Sequence, residues 1–366
     1  MIDNRRLARL LSSALLGENQ KTSVVSQLIH RKVPFHFGGM SDPFMNYELI
    51  AQKTFETLQV LKEHQYPTII STKGVISSSP KYFDLISGGK TVIQVSFSTL
   101  DDKISRLIEI NTPPPSERIK LIKELSSVCW VSARLQPVIP GNLKGAVESI
   151  YLLAEAGVKH ISAELLKLPL VDGVNISKTI SNAFRFDINQ YYSENRIMAL
   201  EYLVNRDYSL QIHTTLAATA NSVGLSYSSA DTDLLPYDGS DCCCSGVHNL
   251  PGFENFYKFT FAQSIRNAIA DNSTTVTFKH LTSEWAPTGS IRQFLNSKSR
   301  VVGIHTIQEW MAWKWNNSSK AIGPLAFFGI NDSGTYDDDG MKVFTISNDA
   351  FNLADKLGFL RSKNKC

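Results

Sequence analysis

The chain has 366 residues, of which 43% are hydrophobic and 19% are charged, enough to bury one large core or two smaller ones. Lysine and arginine total 37 against 34 aspartate and glutamate, and this net charge of +3 neither favours nor rules out a nucleic-acid partner. No stretch reaches the roughly 18–20 uncharged apolar residues that a membrane span requires, and the N-terminal segment lacks the features of a signal peptide. We therefore expect a cytoplasmic protein without a membrane contact.

The cysteines also indicate a reducing compartment. They are Cys129, the consecutive Cys242, Cys243 and Cys244, and Cys366. An odd number with three adjacent members does not suit a disulfide framework. In a reducing compartment, clustered thiols are more often metal ligands or redox groups.

The segment between residues 33 and 169 alternates short apolar runs with amphipathic stretches of helical period. The runs are rich in β-branched and aromatic residues, which is typical of strands buried on both faces. The predicted strands are Pro34–Gly39, Thr68–Thr72, Thr91–Ser96, Trp130–Gln136 and Val158–Leu165. The predicted helices between them are Tyr47–His64, Pro80–Ser87, Glu117–Ser127 and Leu143–Ala156, and residues 1–32 are predicted as a helix before the first strand. The alternation predicts an α/β fold, a parallel partial barrel over residues 1–170 with right-handed crossovers.

Residues 171–366 are predicted as a mainly helical C-terminal region that shapes a substrate or partner site. We expect helices at Glu194–Asn205 and 253–272, a structured loop at Tyr227–Val247 and a turn at Asn331–Gly340. Trp310, Trp313 and Trp315 fit a helical face that packs this region, with base stacking as the alternative. His213 is expected to be a buried, hydrogen-bonded histidine rather than a ligand.

Functional side chains of a parallel α/β barrel lie at the carboxyl ends of its strands. Here those ends carry glycines, hydroxyls, one ammonium and one guanidinium, which suit a ligand with a carboxylate and ribose hydroxyls. The candidate binding residues are Gly38, Gly39, Ser41, Lys73, Ser96 and Arg134. Two alternatives stay open: Lys73 could form a Schiff base in a lysine-dependent lyase, and Arg134 could pair with a structural carboxylate such as Glu164.

Four segments make a family resemblance specific. GGMSDPFMNYE, ISTKG, VSFSTLDDKISRLIEINTPPPSERIKLIKEL and ARLQPVIPGN resemble, in order and spacing, the spore photoproduct lyase-like branch of the radical S-adenosylmethionine (SAM) superfamily. The resemblance covers about residues 33–170, and the run from Val95 to Gly141 is its most distinctive part. It implies a partial barrel of the (β/α)6 type and a SAM-binding site.

The resemblance also implies roles for single residues. Gly38 and Gly39 resemble the glycine pair that approaches the methionyl amino group of SAM. The positions that match SAM contacts in this family are Ser41, Lys73 and Ser96. Arg134 matches a polar position beneath SAM. Three further residues match family positions that shape the loop: Asp42, Pro43 and Glu48. The implied reaction is reductive cleavage of SAM to a 5′-deoxyadenosyl radical by a [4Fe–4S] cluster, followed by hydrogen abstraction from an unknown substrate.

The sequence departs from this family at two places. The family holds its cluster with a C-x3-C-x2-C loop, whose three thiolates leave one iron open for SAM. No cysteine precedes Cys129, so we expect the primary cluster ligands and the first strand to be absent from this chain. Met40 stands where the photoproduct lyases have a hydrogen-donating cysteine, so repair of that DNA lesion is not expected.

The run of Cys242, Cys243 and Cys244 has three interpretations: an auxiliary metal site, a thiol delivered to the active site, or structural packing. Relatives in the same branch carry Cys-Cys-Gly near this place. Neighbouring side chains of an extended backbone point in opposite directions, so at most two of these thiols would bind one metal. Cys129, His248 or a partner would complete such a site.

Three hypotheses for the whole chain remain. In the first, this is a radical SAM-type enzyme whose cysteine loop lies on a separate polypeptide or in an upstream segment. In the second, it is a degenerate, non-catalytic barrel that binds SAM or a partner. In the third, it is an unrelated lysine-dependent barrel lyase. In each case we expect the N-terminal helix, a partner chain or a dimer contact to cover the open edge of the sheet.

Overall fold

The computed structural model describes residues 3–17, 23–39, 41–198, 200–241, 244–291 and 301–359. The chain forms two compact units. The first, here called the parallel-sheet unit, consists of Phe35–Asp231 and Cys243–Leu250; the second consists of Met1–Pro34, Thr232–Cys242 and Pro251–Cys366. These boundaries differ from the predicted division after residue 170, because the helical hairpin before the first strand is grouped with the C-terminal residues and the sheet continues to residue 231.

The helices and strands follow in chain order. The helices are α1 (Asn4–Leu15), α2 (Val24–His30), α3 (Glu48–Ala51), α4 (Lys53–Glu63), α5 (Pro80–Ser87), α6 (Asp102–Ile108), α7 (Pro115–Leu125), α8 (Leu143–Glu155), α9 (Gly173–Phe184), α10 (Arg206–Ser222), α11 (Phe261–Ala270), α12 (Phe278–Thr282), α13 (Ile307–Asn316) and α14 (Asn348–Lys356). The strands are β1 (Phe35–Phe37), β2 (Thr68–Thr72), β3 (Thr91–Phe97), β4 (Trp130–Val138), β5 (His160–Leu165), β6 (Leu168–Pro169), β7 (Tyr192–Met198), β8 (Glu201–Val204), β9 (Ser226–Ser229), β10 (Thr275–Val276), β11 (Ile330–Tyr336) and β12 (Lys342–Ile346).

The parallel-sheet unit is built on six parallel strands in the order β1-β2-β3-β4-β5-β9. Spatial order follows chain order, as repeated right-handed crossovers produce. The predicted α/β class and the parallel partial barrel are confirmed, and all five predicted strands form within a few residues of their predicted bounds. The sixth strand, β9, has the sequence Ser-Tyr-Ser-Ser and overlaps the start of the predicted loop Tyr227–Val247.

One face of this sheet is apolar. Ile70, Ile93 and Val131 are neighbours across β2, β3 and β4, and all three are fully buried. Helices α5, α7 and α8 contact these strands. Buried apolar residues of the helices, such as Ile122 and Ile150, complete this core. Each such side chain stabilises the fold by about 1.5–3 kcal/mol through its removal from water.

The opposite face of the same strands is polar. Ser71, Gln94, Ser132, His160 and Ser226 occupy one register row across β2, β3, β4, β5 and β9. The first four of these side chains are buried. The strands are therefore buried on both faces, as predicted, but only one face is hydrophobic.

Part of the polar face is covered by residues 244–250 of the same unit. The side-chain amide of Gln94 donates a hydrogen bond to the carbonyl oxygen of Cys244 over 2.7 Å. Gly246 has a φ of +70°, and a Cβ atom there would lie 2.4 Å from the ring of His160. Glycine is needed at this position because the segment packs directly on the imidazole.

The predicted helix Tyr47–His64 is split in two. Gln52 adopts a left-handed conformation with φ of 49° and separates α3 from α4. The buried Glu48 carboxylate accepts hydrogen bonds from the backbone N–H groups of Thr54 and Phe55, at 3.0 and 2.8 Å, in the first turn of α4. A carboxylate at this position satisfies donors that the helix leaves unpaired.

The predicted helix Glu194–Asn205 is wrong. The segment forms β7 and β8, which pair with β6 in an antiparallel sheet of order β6-β8-β7. Tyr202 of β8 lies opposite Leu168 of β6. Pairing with a distant strand outweighs the weak helical pattern of this polar segment.

The second unit contains α1, α2, α11 to α14 and an antiparallel sheet of order β10-β12-β11. It is therefore mixed rather than mainly helical, and most of the predicted turn Asn331–Gly340 is the exposed strand β11. The predicted tryptophan helix forms as α13. On it Trp315 is fully buried against Phe278 and Phe344, while Trp313 is 40% exposed.

None of the described helices combines the length and the hydrophobicity that crossing a bilayer requires.

Candidate functional site

A cavity of about 440 Å³ lies at the carboxyl ends of β1 to β4. Its volume is within the range of small-molecule sites. The six residues predicted as a binding set all border it: Gly38, Gly39, Ser41, Lys73, Ser96 and Arg134. Asp42, Ser71, Thr72, Gln136 and Pro137 border it as well. The structure thus brings together residues from four successive strand ends.

The two glycines of the first strand end serve different needs. Gly38 has a φ of +96°, and a Cβ atom there would lie 2.1 Å from the carbonyl oxygen of Ser71 on the next strand. Any side chain at this position would collide with β2. A Cβ atom on Gly39, in contrast, would have no protein atom within 4 Å. Gly38 is thus required by the packing of the sheet, whereas Gly39 leaves open space beside the backbone at the cavity.

Asp42 joins the first two strand ends. One carboxylate oxygen accepts hydrogen bonds from the backbone N–H of Phe44 at 2.8 Å and the hydroxyl of Thr72 at 2.6 Å. The other accepts from the backbone N–H groups of Lys73 at 2.6 Å and Gly74 at 3.3 Å. Because its oxygens are engaged by four donors, Asp42 shapes the loop, as the family resemblance implies.

Lys73 belongs to a charged network. Its ammonium lies 2.7 Å from the Glu109 carboxylate, which also accepts hydrogen bonds from Ser98 and from the fully buried Arg118. Burial alone would raise the pKa of Glu109, but Lys73 and Arg118 together lower it to about 2. Arg118 also donates to the carbonyl oxygen of Ser96 at 2.6 Å. The network fixes the second and third strand ends to each other.

Arg134 belongs to a second network. Its guanidinium lies 2.9 Å from the Glu164 carboxylate, which also accepts from Gln136 and from Lys167, both at 2.6 Å. The alternative that Arg134 pairs with Glu164 is confirmed. The pairing does not remove Arg134 from the cavity, because Arg134 and Gln136 both border it.

His36 lies beside the cavity, and the sequence analysis did not single it out. It lies on β1, is exposed to solvent, and its Nε2 is 2.8 Å from the hydroxyl of Ser71, which borders the cavity. Burial first, and the nearby Arg134 guanidinium second, lower the pKa of His36 below its usual value. A signal was present in the sequence, because strand alternation places His36 and Gly38 on the same face of β1.

His213 has the surroundings that were predicted. It is fully buried, and its two ring nitrogens lie 2.7 Å from the hydroxyl of Tyr227 and 2.7 Å from the carboxylate of Asp231.

The cysteines are only partly covered by the structure. Cys242, Cys243, Cys366 and also Met40 lie outside the described residues, so the metal-site hypothesis for the cysteine run stays a prediction. Cys129 directly precedes β4, at the end of the strand opposite to the cavity, and burial raises the pKa of its thiol to about 12. A thiol that keeps its proton is a poor iron ligand. Within the described ranges, no group of three or more His, Cys, Asp or Glu side chains is placed to hold a metal ion.

No protein-family model matches the chain. A stretch of 107 residues is 32% identical to the uncharacterized protein ORF301 of Acidianus two-tailed virus and covers 27% of this chain and 35% of that protein. Among solved structures, the chain is similar to a spore photoproduct lyase mutant with bound AdoMet and dinucleoside spore photoproduct, at 11% identity and a TM-score of 0.44, over 62% of this chain and 66% of that one. It is also similar to SuiB from Streptococcus suis, at 14% identity and a TM-score of 0.33, over 50% of this chain and 41% of that one. The chain spans less than two thirds of the length of each of these proteins.

Proposed function

We propose that the cavity at the carboxyl ends of β1 to β4 binds S-adenosylmethionine, and that the chain is a radical SAM-type protein. The observation that carries the proposal is the convergence of the six candidate residues, from four separate strand ends, on one cavity of about 440 Å³. Strand position and family resemblance point to the same six residues in the sequence.

The chemistry of the cavity suits the parts of this ligand. Lys73 and Arg134 offer positive charge for a carboxylate, and each keeps a carboxylate partner of its own that holds the side chain in place. Ser41 and Ser96 offer hydroxyls that can donate to or accept from ribose. The open space beside Gly39 admits a group close to the backbone. Bound SAM would supply the adenosyl group for radical chemistry.

The described residues do not fit a [4Fe–4S] cluster. Cys129 is half-buried at the amino end of β4, away from the cavity, and no described set of three metal-ligating side chains exists. For this chain the proposal therefore ends at binding of SAM. We propose that the cluster ligands come from a separate polypeptide or from an upstream segment if the chain takes part in radical chemistry.

The geometry disfavours a lysine-dependent lyase. A lysine that forms a Schiff base must first lose the proton of its ammonium group. Glu109 lies 2.7 Å from the Lys73 ammonium and stays ionised because its pKa is lowered to about 2. This ion pair engages the Lys73 nitrogen, so its position suits the binding of a ligand rather than attack on a carbonyl group.

The experiment is a calorimetric titration of the purified chain with S-adenosylhomocysteine and with 5′-methylthioadenosine, which lacks the amino-acid portion. We expect saturable binding of the first ligand, and about tenfold weaker binding in Arg134→Met and in Lys73→Met, the size of one charge-assisted hydrogen bond. In both variants the carboxylate partner keeps a second cation, Lys167 or Arg118, so the fold should persist. Absence of saturable binding to the wild-type chain would refute the proposal.

A further inference from the structure

A chain of hydrogen bonds runs along the polar face of the sheet, from the segment after the cysteine run to the wall of the cavity. The Gln94 amide nitrogen lies 2.7 Å from the carbonyl oxygen of Cys244. The other end of that amide, Oε1, is 2.9 Å from the hydroxyl of Ser71, and this hydroxyl is 2.8 Å from Nε2 of His36. All four residues belong to the parallel-sheet unit.

This series of hydrogen bonds determines which atom carries each of its protons. A backbone carbonyl can only accept, so the nitrogen of the Gln94 amide must face Cys244 and its oxygen must face Ser71. Ser71 therefore gives its single hydroxyl proton to Gln94. Its oxygen can then only accept from His36, so the Nε2 atom of His36 carries a proton. In a neutral imidazole with Nε2 protonated, Nδ1 has a free lone pair.

Nothing in the described part of the protein uses this lone pair. Among the described residues, no hydrogen-bond partner is found for Nδ1 of His36, and the residue is exposed. His36 shares its strand face with Gly38, contacts Ser71, and lies near enough to Arg134 to be affected by its charge. Gly38, Ser71 and Arg134 all border the cavity.

The charged side chains that border the cavity do not offer a vacant acceptor. Lys73 and Arg134 can only donate, and the carboxylate oxygens of Asp42 are engaged by four donors of the loop. An ammonium group placed beside Lys73 or Arg134 would meet like charge. The open space next to Gly39 follows His36 by three residues, and the Nδ1 atom of His36 is a neutral acceptor.

We propose that the unprotonated Nδ1 of His36 accepts a hydrogen bond from the amino group of the ligand, and so makes His36 the residue that selects an amino-acid-bearing adenosyl compound. The proposal rests on the proposed function. It adds a recognition element that neither the sequence motif nor the set of six predicted residues contains.

The first test determines the tautomer without a ligand. Long-range ¹H–¹⁵N correlation spectra of the chain labelled with ¹⁵N-histidine distinguish the two neutral tautomers, and the His36→Gln spectrum assigns the signals. We expect His36 to be neutral near pH 7 with its proton on Nε2. In Gln94→Met, where Ser71 is released, we expect a mixture of tautomers. A proton on Nδ1 in the wild-type chain would overturn the inference.

The second test measures selection. S-Adenosylhomocysteine is compared with 5′-S-(3-carboxypropyl)-5′-thioadenosine, which differs from it only by the missing amino group. The wild-type chain should prefer the amino-bearing ligand by about tenfold or more, as expected for a hydrogen bond to a charged group. His36→Leu should remove this preference, while His36→Gln, which keeps an acceptor and a donor, should retain most of it. His64→Leu, a substitution at the end of α4, serves as the control and should leave the preference unchanged.

The outcomes separate the two proposals. Equal binding of both ligands by the wild-type chain, or an unchanged preference in a folded His36→Leu variant, refutes the role of His36 and leaves SAM binding intact. Absence of binding of both ligands refutes the proposed function and the ligand assigned to His36 together. Circular dichroism and thermal melting of each variant show that it is folded.

Discussion

On the face of the parallel sheet that helices cover, Ile70, Ile93 and Val131 stand side by side and are fully buried. One residue further along each strand, Ser71, Gln94 and Ser132 stand side by side on the opposite face and are also buried. Burial alone therefore does not distinguish the two faces. The apolar face contributes stability through area removed from water, whereas the polar face arranges hydrogen bonds beneath a cavity. Substitutions on the two faces should have different effects on stability and on binding.

The largest effect is expected where charge is buried beside the cavity. Glu109→Gln should lower the free energy of unfolding by about 3–5 kcal/mol, because it leaves the fully buried Arg118 without its carboxylate partner. Urea denaturation of the wild-type chain and the variant measures the difference. A loss below about 1 kcal/mol would show that Arg118 is satisfied by carbonyl oxygens alone.

The same residue predicts a dependence on pH. The pKa of Glu109 falls from 4.5 to about 2 on folding, so its stabilising contribution is complete above pH 4.5 and is lost as the pH falls from 4.5 towards 2. The difference in stability between the wild-type chain and Glu109→Gln should therefore shrink over this window. A difference that stays constant between pH 6 and pH 3 would contradict the ionised state of Glu109.

The next effect is expected at the first strand end. Gly38→Ala places a Cβ atom 2.1 Å from the Ser71 carbonyl oxygen, at a φ of +96°, and should cost about 3 kcal/mol through overpacking and backbone strain. Gly39→Ala is the matched control, because a Cβ atom there meets no protein atom within 4 Å. Thermal or chemical unfolding should separate the two variants clearly. Equal stabilities would contradict the distinct roles of the two glycines.

A smaller effect is expected on the apolar face. Ile93→Val removes one methyl group from a fully buried side chain and should cost about 1 kcal/mol. Ligand affinity should not change, since Ile93 points away from the cavity. Unfolding curves and a SAM titration on the same preparation test both parts. If Ile93→Val bound SAM about tenfold more weakly at unchanged stability, the assignment of stability to the apolar face and of binding to the polar face would be incorrect.

The smallest effect is expected at Ser132 on the polar face. Its hydroxyl is buried and has no hydrogen-bond partner among the described residues, so Ser132→Ala should change stability by less than about 0.5 kcal/mol or raise it slightly. A loss of more than about 1 kcal/mol would indicate a partner for this hydroxyl, such as an ordered water.

The sequence predicted the five strands that are short runs rich in β-branched and aromatic residues. It also predicted six cavity residues, because parallel strands end at one edge of the sheet. It did not reveal β9, since Ser-Tyr-Ser-Ser has no apolar run, and it misassigned β7 and β8, which depend on pairing with β6. Glu109 and Arg118 were missed as site residues, although both lie in the segment noted as distinctive. Their connection to Lys73 spans 36 and 45 positions in sequence and exists only in the folded chain.

The most direct test of the central claim, that the carboxyl-end cavity is a SAM site, is a titration of three chains with SAM: the wild type, Gly39→Ala and Gly173→Ala. A methyl group fits without collision at both glycines, but only Gly39 borders the cavity, while Gly173 begins α9. We predict saturable binding to the wild type and to Gly173→Ala, and binding weakened by about tenfold or more in an equally stable Gly39→Ala. Equal affinities of Gly39→Ala and the wild type, or no binding to any of the three, would contradict the account.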